Sequence, residues 1–169
     1  LPLGELRLTD IDESRLNIVG DFCERVLLEN DMEPRILRSV DLARAVEGAD
    51  YVVTQIRAGK LEARVRDEKI PLEYGFIGQE TTGIGGFTNA LRTIPQMQEI
   101  TSAIERYAPE AWLVNFTNPS GIVTEFLLNY TPVKAIGLCN LPIGTQERIA
   151  KLLGVPMESV RLETVSLNH

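Results

Sequence analysis

Apolar positions follow two periods along this chain, and the periods alternate. Short apolar runs of strand length are separated by stretches whose apolar residues recur every three or four positions, the spacing of one helical face. Glu5 to Thr9 reads as a strand stopped by Asp10, and Asp12 is placed to cap the helix behind it. Leu16, Val19, Phe22, Cys23, Val26 and Leu27 fall on one side of that helix, the side expected to be buried. Ile36 to Val40 is a second short strand, and Asp41 caps a helix ending near Gly48. Tyr51 to Ile56 is apolar in consecutive positions, the pattern of a strand buried on both faces.

Between Arg57 and Gly86 the alternation breaks. This stretch carries many charges, six glycines and Pro71, and reads as a long surface segment of the kind that is usually functional or mobile. A helix is expected from about Phe87 to Tyr107, with Leu91, Ile94, Met97, Ile100, Ile104 and Tyr107 on one side and Pro95 kinking or restarting it. Trp112 to Phe116 is the next strand. Asn118 and Pro119 suit the N-cap and first position of a helix running to about Tyr130. Val133 to Cys139 is a further strand, Ile143 to Leu153 a helix closed by Gly154, and Leu162 to Leu167 a last strand. Strand and helix in alternation predict an α/β fold with a mainly parallel sheet. In such folds ligands gather outside the carboxyl ends of the strands.

Composition narrows the class. The 24 acidic and 17 basic residues give a net charge of −7, which argues against a general nucleic-acid binder. A phosphorylated small molecule stays open, because one or two local arginines override the global field. No segment approaches the length of a membrane span. The first five residues, Leu1 to Glu5, lack the basic start and apolar core of a signal peptide. Two cysteines, Cys23 and Cys139, make no disulfide framework, so a reducing, cytoplasmic setting is the simplest expectation.

Chemistry concentrates at two strand ends. Cys139-Asn140-Leu141-Pro142 closes one apolar run, and the single histidine stands at Asn168-His169 after another. Thiolate and imidazole are ligands that divalent transition metals favour. The plainer readings are that Cys139 is a small buried hydrophobe and that Asn140 caps the next helix. Arg57, at the end of the Tyr51 strand, has a planar fork suited to phosphate but is equally a solvated arginine. Glu80 and Asn118 are a loop carboxylate and a turn amide that would face the same edge, with Asn115 and Thr117 as weaker candidates.

Taken together, Gly78-Gln79-Glu80-Thr81-Thr82-Gly83, Asn115-Phe116-Thr117-Asn118-Pro119, Gly137-Leu138-Cys139-Asn140-Leu141-Pro142 and Leu167-Asn168-His169 resemble glycoside hydrolase family 4. The resemblance runs from about Leu6 to His169, and the Cys-Asn-x-Pro form is similar to the 6-phospho-β-glucosidase branch. It implies a Rossmann-type domain like that of lactate and malate dehydrogenases, and an enzyme needing NAD and a divalent metal, usually manganese. It implies Cys139 and His169 as metal ligands, and Arg57, Asn118, Asn140 and Asn168 around a phosphorylated disaccharide or aryl glucoside. Asn140 and Glu80 would stand nearest the chemistry. The implied route oxidises C3 of the sugar, removes the acidified C2 proton, eliminates the aglycone, adds water and reduces the ketone, an exception to the usual pair of carboxylates. The family tends to form dimers and tetramers, so association is expected.

A dinucleotide fold normally opens with a glycine-rich turn roughly 20 residues before an acidic residue that holds the ribose. Asp10, with Asp12 as alternate, fits the acidic position. The glycine-rich strand-turn-helix is then expected before Leu1, and a second domain with the proton-abstracting base beyond His169. Residues 1–169 are thus expected to be the internal part of an NAD-binding domain, incomplete at both ends. Tyr51, Tyr74, Tyr107 and Tyr130 match no base motif. Two other readings share the fold and Asp10: a lactate/malate-type NAD-dependent dehydrogenase, and a non-catalytic nucleotide-sensing domain that needs no Cys139/His169 pair.

Overall fold

A computed structural model describes residues 3–33 and 35–163. Five strands and six helices alternate in them: β1 (Glu5–Thr9), α1 (Glu13–Glu29), β2 (Arg35–Ser39), α2 (Leu42–Val46), β3 (Tyr51–Thr54), α3 (Lys60–Glu73), α4 (Gly83–Tyr107), β4 (Trp112–Asn115), α5 (Ser120–Tyr130), β5 (Lys134–Gly137) and α6 (Leu141–Leu153), with a 3-10 turn at Met157–Ser159. Every strand pairing is parallel. β1 pairs with β2 from Glu5↔Arg35 to Thr9↔Ser39, and β4 lies between β3 and β5 in the register Tyr51↔Trp112↔Lys134 to Thr54↔Asn115↔Gly137. Among the described residues no pairing joins β1 to β3, so the strands form two sheets.

The caps expected at the first two helices are present. Asp12 accepts the main-chain N–H of Arg15 at 3.1 Å, and Asp41 accepts those of Ala43 and Arg44 at 2.9 and 3.4 Å. Each satisfies backbone donors that a helix start leaves without partners. The core gathers around α4, where Met97 and Ile104 meet Val46, Leu113, Val123 and Leu127.

Four expectations need correction. On α1 the inward stripe is Leu16, Gly20, Cys23 and Leu27, whereas Val19, Phe22 and Val26 face outward. The reason is Arg38 of β2, which lies across the helix to reach Asp21 at 2.7 Å and Glu24 at 2.6 Å, so a charged side chain with an apolar stem fills the contact. On β3, Tyr51 and Val53 are 59% and 62% exposed: the described residues cover only one face of the sheet. The segment from Arg57 to Gly86 is largely helical, because its buried stripe is Ala63, Asp67 and Pro71, which carries no large apolar residue to betray the period. Finally, α4 begins at Gly83 and runs through Pro95 without a restart, and its buried stripe includes Asn89, Thr93 and Thr101 where Leu91 and Tyr107 were expected. Of the last expected strand, Leu162 and Glu163 are irregular, and the rest lies outside the described residues. None of the described helices is long and apolar enough to cross a membrane.

Candidate active site

Polar side chains buried behind the carboxyl ends of β3 and β4 fix the two chain exits there. Thr54 donates to Asn115 Oδ1 at 3.0 Å, and the same oxygen accepts the Thr117 N–H at 3.0 Å. Asn115 Nδ2 donates to the Thr117 carbonyl at 3.2 Å, and Thr117 Oγ1 accepts the Ile56 N–H at 3.1 Å. Asn115 and Thr117 are thus buried braces, each polar atom engaged as burial demands. They hold Arg57 and Asn118 at the end of each exit. Asn118 does not cap α5: the Asn118–Pro119 peptide is cis, Pro119 takes the N-cap position, and α5 starts at Ser120.

Arg57, Glu80 and Asn118 line one cavity of about 250 Å³, together with Gln55, Ile56, Asn89 and Phe116. Three side chains named from separate motifs therefore meet. Glu80 is ion-paired with Arg57 and lies 3.3 Å from the Arg64 guanidinium. Arg64 also pairs with Glu68 at 2.7 Å, and that hydrogen bond raises its already high pKa further. Glu80 is thus held between two guanidinium groups, which fixes where its carboxylate sits. Asn89, buried in α4, donates to the carbonyls of Glu80 and Asn118 at 3.4 Å each, and so spans the glycine-rich loop and the Asn118 turn.

The loop carrying Glu80 rests directly on α3. A Cβ at Gly78 would lie 1.8 Å from the Glu68 carbonyl oxygen, so only glycine permits the approach. Behind the loop, the buried Asp67 carboxylate receives the forked guanidinium of Arg92, with Arg92 Nη1 at 3.0 Å, and the Thr88 hydroxyl at 3.0 Å. Arg92 Nε also donates to the Ala58 carbonyl at 3.1 Å, one residue beyond Arg57. α3, α4 and the exit of β3 are locked together by this one pair.

Arg15, Arg64, Asp67, Asn89 and Arg92 escaped the sequence reading. Arg64 and Glu68 give a local sign, four residues apart on a charged helix, but nothing local ties either to Glu80 or to the cavity.

Asp10 ends β1, where a ribose-binding acid belongs. Arg15 holds both its oxygens, Nε to Oδ2 at 2.7 Å and Nη2 to Oδ1 at 2.6 Å, and the Asp12 N–H donates to Oδ1 at 2.9 Å. The Arg15 hydrogen bond holds the Asp10 carboxyl below its ordinary pKa. Asp12 itself is occupied as the α1 cap.

Cys139 follows β5 at the same edge as the cavity's strands and is exposed; its sulfur accepts the Leu141 N–H at 3.5 Å. Asn140 holds the N-cap position of α6 in a helical conformation, and its side chain makes no capping bond, so the plain capping reading fails. Asn168 and His169 lie outside the described residues. Among those described, no group of three or more histidine, cysteine or acidic side chains comes together.

The family model of family 4 glycosyl hydrolases matches residues 1–155. A probable 6-phospho-β-glucosidase of Bacillus subtilis is 49% identical over all of this chain, which spans 39% of that relative's length. A 6-phospho-α-glucosidase of Lacticaseibacillus paracasei is 41% identical over 91% of this chain and 35% of its own. The solved 6-phospho-β-glucosidase of Thermotoga maritima with manganese, NAD+ and glucose-6-phosphate superposes with a TM-score of 0.87 at 43% identity, over 96% of this chain and 39% of that one. A lactate dehydrogenase of Eimeria maxima matches at a TM-score of 0.63 and 18% identity over 94% of this chain and 43% of its own, which shows the Rossmann-like fold alone.

Proposed function

The chain belongs to family 4 of the glycosyl hydrolases, and from that premise we propose that it forms part of an NAD- and manganese-dependent 6-phospho-β-glucosidase. In this reading residues 1–169 are the internal part of the NAD-binding domain; a glycine-rich strand-turn-helix precedes them and a second domain follows. The observation that carries the proposal is the meeting of Arg57, Glu80 and Asn118 on one cavity at the carboxyl edge of a parallel sheet. The names of the Bacillus and Thermotoga relatives support the substrate class.

Each residue has a task that its chemistry allows. Arg57 presents a planar fork to the sugar phosphate. Glu80 orients that fork from between Arg57 and Arg64, and its carboxylate accepts a hydrogen bond from the sugar or from metal-bound water. Asn118 and Asn168 bind sugar hydroxyls through amides that both donate and accept. Asn140, neutral at every working pH, cannot protonate a leaving group as an acid would, which favours β-linked substrates. Asp10 accepts from a ribose hydroxyl, with Asp12 fixing the turn beside it. Cys139 and His169 would hold the metal, the thiolate coming from the exposed end of β5. When bound, NAD supplies hydride exchange at C3 of the sugar, and manganese supplies positive charge beside the C2 and C3 oxygens. We place the enzyme in the cytoplasm as a dimer or tetramer.

The test is cleavage of a chromogenic 6-phospho-β-glucoside by the intact enzyme in deuterated water. Release is expected to need both NAD and manganese and to leave deuterium at C2 of the product. Cleavage after NAD is stripped, with no exchange at C2, would mean the ordinary two-carboxylate route and would overturn the proposal.

A further inference from the structure

Arg15 is the strongest unassigned group near a proposed ligand. Both oxygens of Asp10 are held: Arg15 donates to each, at 2.7 and 2.6 Å, the Asp12 N–H donates to one at 2.9 Å, and the Ile11 main chain adds a further hydrogen bond. The direction of the carboxylate is therefore fixed before any ligand arrives. The Arg15 side chain is about half exposed, 49%, at the first turn of α1, and its own N–H completes the Asp12 cap. The guanidinium therefore stands at the rim of the strand end with its charge cancelled by one partner.

We propose that Arg15 is a positioning and specificity residue for the dinucleotide, acting with Asp10 as a pair. This rests on the reading that Asp10 receives the adenosine ribose. With Asp10 in place, Arg15 holds the carboxylate toward the ribose diol, and the paired charges present no cation to a 2′-phosphate. Without Asp10, the same guanidinium faces the 2′ position unpaired, and a phosphate there gains a forked, charge-assisted partner. Asp12 and Glu13 stay close on the same turn and continue to repel a phosphate, so the change of preference is partial.

The experiment measures dissociation constants of NAD and NADP, by quenching of protein fluorescence, for the intact enzyme and for Asp10→Ser, Arg15→Met, Arg15→Lys and the Asp10→Ser/Arg15→Met double variant. Thermal unfolding of each shows that it is folded. Arg15→Met is expected to weaken NAD roughly tenfold, the worth of a charge-assisted hydrogen bond, and Arg15→Lys to recover part of that. Asp10→Ser is expected to weaken NAD and to tighten NADP by about tenfold, and the double variant to lose the NADP gain. A double variant that binds NADP as tightly as Asp10→Ser overturns the role of Arg15 while leaving Asp10 as the ribose acceptor. If Asp10→Ser changes neither constant, the ribose lies elsewhere and both readings fall.

Discussion

Arg57 and Asp10 share a logic at the residue scale: each is a charged group at a strand end, held in place by an opposite charge. For Arg57 the fork matters more than the charge. Arg57→Lys keeps the cation but cannot make two parallel bonds to a phosphate. It is expected to raise KM for a 6-phosphoglucoside about tenfold, the loss of one charge-assisted hydrogen bond, with a far smaller effect on the unphosphorylated glucoside. Equal effects on both would show that Arg57 does not meet the phosphate. For Asp10 the consequence is in pH. Its folded pKa is depressed by the Arg15 hydrogen bond, so the stabilisation it brings is full above the unfolded value near pH 4 and is lost as pH falls through the folded one. In Arg15→Met that contribution is missing, so the variant is expected to be less stable than the unsubstituted protein above about pH 4 and to converge on it as pH falls. Urea midpoints measured from about pH 2.5 to 6 would show the gap closing toward acid, and a gap independent of pH would contradict the pairing.

At the scale of elements, the active-site edge depends on how α3 and α4 pack. Their contact contains a buried ion pair, Asp67 with Arg92, rather than interlocked leucines. Such a pair is weak evidence for net stability, but breaking it is costly because the remaining charge stays buried. Arg92→Met, which leaves Asp67 6% exposed and unpaired by a cation, is expected to lower the unfolding free energy by about 3 kcal/mol. An Asp67→Leu/Arg92→Met double variant is expected to recover much of it. Denaturant unfolding of the intact enzyme measures both, and a neutral single variant would mean that Thr88 and water satisfy Asp67 unaided. The same packing explains why α3 was hidden in the sequence. A stripe of alanine, aspartate and proline makes contact through small size and charge pairing, and neither produces an apolar period.

For the molecule as a whole, the notable feature is the apolar sheet face carrying Tyr51, Val53, Trp112 and Ile136, all between 46% and 62% exposed. Phe22 and Ile18 on α1 add further exposed apolar surface, 57% and 67%. Contiguous surfaces of this kind are usually covered in a stable protein. The relatives are longer, this chain spanning 39% of the Bacillus protein, and we propose that additional chain of the same protein covers the face. Residues 1–169 prepared alone are then expected to bind a hydrophobic dye and self-associate, and the intact enzyme to do neither. A monodisperse, dye-silent piece would contradict this.

The sequence by itself determined the order of the five strands and of every helix but α3, the caps at Asp12 and Asp41, the parallel α/β class and the family. These are local or nearly local properties: the period of apolar positions, a side chain reaching a backbone two or three residues on, and short motifs whose residues touch along the chain. It also named Arg57, Glu80 and Asn118 one at a time, from strand ends and turns. Only the tertiary structure brought the three to one cavity, placed Arg64 against Glu80 and Arg15 across Asp10, and turned Asn115 and Thr117 from candidate contacts into braces. It alone decided which faces are covered, because a strand such as β3 looks the same in sequence whether its second face meets protein or solvent. Partners 16 to 61 residues apart are chosen by which elements pack side by side, and nothing in the local pattern of either partner carries that choice.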